Sequence, residues 1–274
     1  MQDNDRAPKL SISGTTSVFG CIAHPVAHVR APTIFNDIFA NRQLDAVMVP
    51  VDAPADRLEA VIAGLSYMPN FHGLAVTIPH KMPLAALCDE LGAVAQITSA
   101  VNAVRFENGR LYGDNFDGAG FVAGLYGEGH TLSDKKILLI GAGGAARAIA
   151  YGLTQESIAR LDIHNRSYQK AEDLVAAVKA HDAHAPLHVQ ENPDWAQYDI
   201  VINATALGLK EGDAMPCDVA ALPETTLVCD IIMVPAETAW LRAAKDRGLA
   251  CHYGRHMFDY QVALIGQFLG INDL

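Results

Sequence analysis

Residues 137–146 read Ile137-Leu138-Leu139-Ile140-Gly141-Ala142-Gly143-Gly144-Ala145-Ala146 and continue as Arg147-Ala148-Ile149-Ala150. A short apolar run suited to a buried strand ends in a glycine-rich turn, and a helix-forming stretch follows. This is the strand–turn–helix pattern of a dinucleotide-binding unit. Gly141 permits the tight turn, Gly143 lets the backbone approach a pyrophosphate, and the small Ala146 lets helix pack on strand. Ala142, Gly144 and Ala145 complete the turn. The helix start that follows offers N–H groups and partial positive charge to phosphates.

The next strand, Leu161-Asp162-Ile163-His164, bears on which dinucleotide is bound. An NAD site places Asp or Glu at the tip of this strand to hold the ribose 2′-hydroxyl. Here Asp162 lies inside the strand, and the tip carries Asn165, Arg166, Ser167 and then Lys170. A 2′-phosphate is anionic and rich in acceptors, and Arg binds it bidentately, so this loop favours NADP over NAD. The same residues also read as a solvated helix start with Asn165 or Ser167 as N-cap.

Composition narrows the class. With 274 residues the chain is long enough for two ordinary domains, and half of it is hydrophobic, which excludes wholesale disorder. A net charge of −11 argues against a nucleic-acid or anionic-membrane surface. The five cysteines contain no Cys-x-x-Cys pair, which favours free thiols in a reducing compartment. Met1-Gln2-Asp3-Asn4-Asp5 lacks the basic-then-apolar pattern of a secretory leader, and no apolar run is long enough to cross a bilayer. A cytoplasmic protein with no nucleic-acid or membrane partner is expected.

Upstream of the nucleotide turn, strands and helices alternate. Strands are expected near 17–21, 46–51 and 73–78, and helices over 32–41, 54–65 and 83–91. Asn108-Gly109 between 102–106 and 110–112 is a two-residue hairpin signal. A boundary falls near 113–120, where glycine is dense, and a helix over 256–269 returns to the N-terminal block. The expected architecture is α/β: a mostly parallel α/β substrate domain (1–117 and 240–274) and a dinucleotide-binding domain (118–239).

Beyond the nucleotide unit, polar residues gather at strand ends, where open α/β sheets bind ligands. They lie in Ala75-Val76-Thr77-Ile78-Pro79-His80-Lys81, in Ser99-Ala100-Val101-Asn102, in Gly113-Asp114-Asn115-Phe116-Asp117-Gly118, and at Gln261. Pro79 ends its strand, so His80 and Lys81 are expected to face the crevice beyond it. Taken in order with Gly20, Pro25-Val26-Ala27-His28, Pro32, Asn203-Ala204-Thr205, Asp230, Pro235, Thr238, Gly254 and Met257, these motifs resemble the shikimate dehydrogenase family along nearly the whole chain.

That resemblance implies a Rossmann-type NADP domain and reversible hydride transfer on 3-dehydroshikimate or a related cyclic hydroxy acid. Lys81 and Asp117 would then be the catalytic pair, with Lys81 either a proton carrier or a fixed cation beside the reacting oxygen. Thr77, Asn102 and Gln261 would bind substrate, and Thr205 and Gly254 would join the cofactor site. Taken alone, Lys81 reads as a solvated helix start and Asp117 as an N-cap. Quinate, an amino analogue or a less polar cyclic alcohol are alternative substrates, and a non-catalytic NADP- or metabolite-binding regulator is the alternative class. Retention of both Lys81 and Asp117 speaks against the regulator.

The chain departs from the family pattern on the side implied to hold the substrate carboxylate. Val29 and Ala31 stand where the family has serines, Ala75 where it has asparagine, Phe116 where it has threonine, and Met233 where it has tyrosine. Two lost hydrogen bonds to a carboxylate amount to about 3–6 kcal/mol unless another group replaces them. Thr15, Thr16, His24, Arg30 and Tyr260 are nearby candidates for that replacement; Arg30 is chemically the most suitable of them, though it reads more readily as a solvated loop charge. No metal is expected: His24, His28 and His80 have no Cys or carboxylate at ligand spacing. The oligomeric state is not legible in the chain, a homodimer being one option.

Overall fold

The computed structural model describes residues 11–271, so the acidic start at Met1–Asp5 lies outside the described residues. Among these, the chain divides into two compact units, 11–115 with 262–271, and 116–261.

The first unit contains β1 (Ser17–Ala23), α1 (Ala31–Arg42), β2 (Ala46–Asp52), α2 (Leu58–Ser66), β3 (Phe71–Val76), α3 (Lys81–Ala85), β4 (Glu90–Leu91), α4 (Ala93–Thr98), β5 (Ala103–Glu107) and β6 (Arg110–Asp114). Its sheet runs β2-β1-β3-β5-β6-β4. β1 pairs parallel with β2 and β3, and β4 with β6, while β5 runs antiparallel to β3 and β6. The Asn108-Gly109 turn has φ of 53° and 75°, the left-handed pair that a tight hairpin requires. Ile22, Leu58, Ile62, Leu74, Val76, Leu84 and Val104 form one core, which is why β1 and β3 read as nearly continuous apolar runs.

One helix differs from expectation. The segment 83–91 is not a single helix: α3 stops at Ala85, and Glu90–Leu91 pairs with Tyr112–Gly113 as β4. Cross-strand pairing outweighs local helix preference there.

The second unit contains α5 (Asp117–Gly127), β7 (Lys136–Ile140), α6 (Gly144–Thr154), β8 (Arg160–His164), α7 (Tyr168–Lys179), β9 (Leu187–Val189), β10 (Ile200–Asn203), β11 (Leu227–Asp230), α8 (Ala239–Asp246), β12 (Ala250–His252) and the part of α9 (Gly254–Phe268) up to Gln261. Its strands run β12-β11-β10-β7-β8-β9, with every pairing parallel. This is the Rossmann order, with the switch point between β7 and β10. Residues 240–261, which the sequence places with the first unit, pack with the second. β12 adds beside β11, and Trp240, Leu241 and Ala244 of α8 join a core with Leu138, Tyr198 and Val228. The return to the first unit begins inside α9: Leu269 packs against Gly73, and Arg105 lies 5.5 Å from the Phe268 ring centre. Among the described residues no helix is long and apolar enough to cross a membrane.

Candidate functional site

β7 delivers the chain into the glycine turn at the switch point of the second sheet. Gly141 has φ +123°, and a Cβ there would sit 2.8 Å from the Ala204 carbonyl oxygen, so both backbone and space demand glycine. Gly143 caps α6 and has open space where a Cβ would project, as the close approach of a ligand needs. Ala146 is fully buried beneath this turn.

A cavity of about 180 Å³ opens beside it, lined by Ala142, Gly143, Asn165, Arg166, Ser167 and Lys170. The loop is shaped by Asn165, whose Nδ2 donates to the Ser167 carbonyl at 2.8 Å. Among the described residues, no carboxylate lines this cavity. The acid of β8, Asp162, is fully buried and accepts from Arg160 Nε at 2.8 Å and the Tyr198 hydroxyl at 2.7 Å. Its role is internal, and the tip of β8 carries donors. A larger cavity of about 610 Å³ shares Asn165 and Arg166 and adds Thr205, Leu207, Lys210 and Asp213 from the loop after β10. A basic, donor-rich pocket next to a glycine turn fits NADP.

Thr205 is fixed through Asn203, whose Oδ1 accepts from the Thr205 amide at 3.1 Å and hydroxyl at 2.7 Å. Asn203 Nδ2 donates to Asp230 at 3.1 Å, and Asp230 also accepts from Thr238 Oγ1 at 2.9 Å. Burial pushes the Asp230 carboxyl above its ordinary range, while the bonds it accepts oppose that shift. Gly254 backs against the Ile231 and Ile232 carbonyls, where any Cβ would clash. It lines neither of these cavities, and nor do Gly141, Gly144 and Ala145. Met233 is half-buried just beyond β11.

In the first unit, Thr77, Lys81 and Asn102 are brought together beyond the end of β3. The Thr77 amide donates to Ile22 O at 3.1 Å, Val101 N donates to Lys81 O at 2.9 Å, and Val76 N donates to Asn102 O at 2.8 Å. Asn102 and His80 are buried and Lys81 is half-buried. His80 does not face the crevice as expected. Its Nε2 bonds the Ala53 carbonyl at 2.8 Å, and the ring is fully enclosed. Val29 is half-buried, and Ala31 is buried at the start of α1. His24 pairs with Asp52 at 2.8 Å, and hydrogen bonding to His24 holds the exposed Asp52 carboxyl below its ordinary range. Among the described residues, no group of three His, Cys, Asp or Glu side chains could hold a metal ion.

In the second unit, Asp117 is the first residue of α5, and Gln261 lies on α9; both are buried. Two glycines set α5 against its neighbours. Gly118 rests on the Ala148 carbonyl of α6, and a Cβ on Gly120 would lie 2.6 Å from Gln261 Cβ. The helix that carries Asp117 therefore touches both the nucleotide-turn helix and the helix that carries Gln261. Leu207, Lys210 and Asp213 were not among the candidates read from the sequence. Their signal was the turn-forming Gly208-Leu209-Lys210-Glu211-Gly212-Asp213 stretch directly after a Rossmann strand.

Residues 21–104 match the shikimate dehydrogenase substrate binding domain family, and residues 126–231 match the shikimate / quinate 5-dehydrogenase family. A shikimate dehydrogenase (NADP(+)) of Rubrobacter xylanophilus is 40% identical over 256 residues, covering 91% of this chain and 89% of that protein. Its counterpart in Geobacillus sp. (strain WCH70) is 38% identical, covering 90% and 89%. A solved shikimate dehydrogenase in complex with NADP+ superposes with a TM-score of 0.87 at 33% identity, over 94% of this chain and 91% of that one. The ligand-free 5-ketofructose reductase of Gluconobacter sp. strain CHM43 superposes with a TM-score of 0.84 at 29% identity, over 94% of each. Both parts of the sequence thus match in order, with relatives aligned along most of their length. The chain belongs to the shikimate dehydrogenase family.

Proposed function

We propose that this protein is an NADP-dependent oxidoreductase that reversibly reduces the keto group of 3-dehydroshikimate or a related cyclic hydroxy acid. The observation that carries this reading is 40% identity over 256 residues to a protein named shikimate dehydrogenase (NADP(+)). The acid-free, donor-lined cavity at the tip of β8 supports the cofactor assignment. In this reading 11–115 with 262–271 carry Thr77, Lys81 and Asn102 for the substrate, and 116–261 hold the cofactor and also carry Asp117, Met233 and Gln261.

NADPH bound there would supply the hydride for reduction, and NADP+ would accept it in the reverse direction. Asn165, Arg166, Ser167 and Lys170 would hold its 2′-phosphate, and the N–H groups opening α6 its pyrophosphate. Thr205 and Gly254 would complete that site. Lys81 gives a proton to the reacting oxygen during reduction and takes it back during oxidation. While negative charge develops on that oxygen, the ammonium group stabilises it. Asp117 would be the carboxylate member of the catalytic pair, its charge opposite to that of the ammonium. Asn102 and Gln261 would bind substrate hydroxyls, Thr77 would also bind substrate, and Val29, Ala31 and Met233 would belong to the carboxylate side. A cytoplasmic setting belongs to the same proposal, supported by five free cysteines. Burial pushes Cys21 and Cys88 up to about 12 and Cys217 to about 11, which keeps these thiols unreactive.

The test is NADPH-dependent reduction of 3-dehydroshikimate by the unmodified protein and by Lys81→Ala. The variant should lower kcat by about 10²–10⁴ while NADP affinity stays unchanged. Adding Asp117→Ala should cost little more, because members of a catalytic unit are not additive. Wild-type kcat in Lys81→Ala would remove Lys81 from the chemistry.

A further inference from the structure

The loop after β10 is more rigidly built than a connecting segment requires. Leu207 N donates to Thr205 Oγ1 at 3.0 Å, which ties the start of the loop to the buried Asn203 network. At the other end, Asp213 Oδ2 accepts from two backbone amides, Gly208 N at 3.1 Å and Lys210 N at 3.0 Å. Gly208 has φ +106°, a conformation that favours glycine, and the turn closes around it. Those two amide bonds, with a smaller contribution from the Lys210 charge, hold the Asp213 carboxyl below its ordinary range.

Lys210 sits in the middle of this turn. It lines the larger cavity together with Arg166, which also lines the smaller cavity with Ser167 and Lys170. Lys210 makes no ion pair among the described residues; the one carboxylate lining the same cavity, Asp213, has an oxygen engaged by the turn's own amides. Asp213 offsets part of the charge of Lys210 and Arg166, and an anion entering the cavity would be drawn to what remains of it. We propose that Lys210 is a cofactor-binding cation selective for the 2′-phosphate, approaching from the β10 side, and that Asp213 is the positioning residue that sets its turn. This rests on the NADP reading above and extends the phosphate site beyond the tip of β8.

Calorimetric titration with adenosine 2′,5′-bisphosphate and with AMP separates the alternatives without using turnover. Lys210→Ala should weaken the bisphosphate about tenfold and AMP less than about twofold, because only the former carries the charge-assisted contact. Lys210→Arg should restore most of that loss. Asp213→Ala should show the same split, whereas Asp213→Asn, which keeps an acceptor oxygen, should stay nearer the unmodified protein. Equal weakening of both ligands by Lys210→Ala, or no effect on either, overturns the inference. If the unmodified protein binds the two ligands alike and Arg166→Ala changes neither, the NADP reading itself has failed. Preference for the bisphosphate that Arg166→Ala abolishes and Lys210→Ala leaves intact overturns only the role of Lys210.

Discussion

Val29 and Ala31 show how little of a binding preference has to reside in the fold. The first is half-buried and the second buried, on the turn that opens α1. The family pattern has hydroxyl groups at these positions, and here only methyl groups are present. Charge-assisted hydrogen bonds are among the stronger ones, so a carboxylate bound here would be held less firmly. Shikimate should therefore be turned over with a high KM. Val29→Ser combined with Ala31→Ser should lower that KM by about 10–100-fold, each new bond to a charged group being worth roughly 1.5–3 kcal/mol before the cost of burying the hydroxyl. Steady-state kinetics with NADP check this. A low-micromolar KM in the unmodified protein would mean that other groups already hold the carboxylate. An unchanged KM in the double variant would mean that these positions do not face it.

At the scale of elements, close contacts between helices hold Asp117, the carboxylate of the proposed catalytic pair, in place. Gly118 lets α5 rest directly on the Ala148 carbonyl of α6, and Gly152 on α6 meets Gly118 from the other side, its Cβ position 3.0 Å from the Gly118 carbonyl. Gly118→Ala should force the two helices apart, with a stability loss of about 1–3 kcal/mol. Because Asp117 is the adjacent residue, kcat should fall as well, since small misplacements of a catalytic group are costly. Gly64→Ala on α2 is the contrasting case: a Cβ there meets nothing within 4 Å. It should be neutral or stabilising by up to about 1 kcal/mol. Thermal melts and kcat for the two variants decide the matter, and equal behaviour would refute the packing argument. The elements legible in the sequence were those with strong local signals. The glycine turn after β7 and the Asn108-Gly109 hairpin are examples, because their residues are required by φ. β4 and β12 were not legible, since two or three residues form a strand only when a neighbour supplies the ladder. His80 was misread for the same reason: its partner, the Ala53 carbonyl, is 27 residues away.

For the whole molecule, the candidate site is read from motifs, whereas the division of the chain was not legible in them. Lys81, Asn102, Asp117 and Gln261 stand in recognisable contexts, but α8 and β12 joined the second unit through the core around Trp240, which no local pattern announces. That unit also carries an acid-sensitive weakness. His252 on β12 is buried, neither ring nitrogen has a hydrogen-bond partner among the described residues, and the edge of Phe121 and the rings of His130 and His256 pack against it. His256 in turn bonds Glu128 at 3.1 Å. Burial, with smaller contributions from His256 and His130, pushes His252 down from 6.5 to about 3. A depressed histidine favours the folded state only while it is neutral. Its contribution is complete above about pH 6.5 and is lost as the pH falls from there toward 3, because the unfolded chain takes up the proton first. Between about pH 8 and pH 5 the loss should be on the order of 2 kcal/mol. Both tryptophans of the chain, Trp195 and Trp240, lie in this unit, so their fluorescence during urea unfolding follows it alone. The unmodified protein should lose more stability on acidification than His252→Leu, which has no proton to take up. Parallel losses in the two proteins would show that other groups govern the acid response.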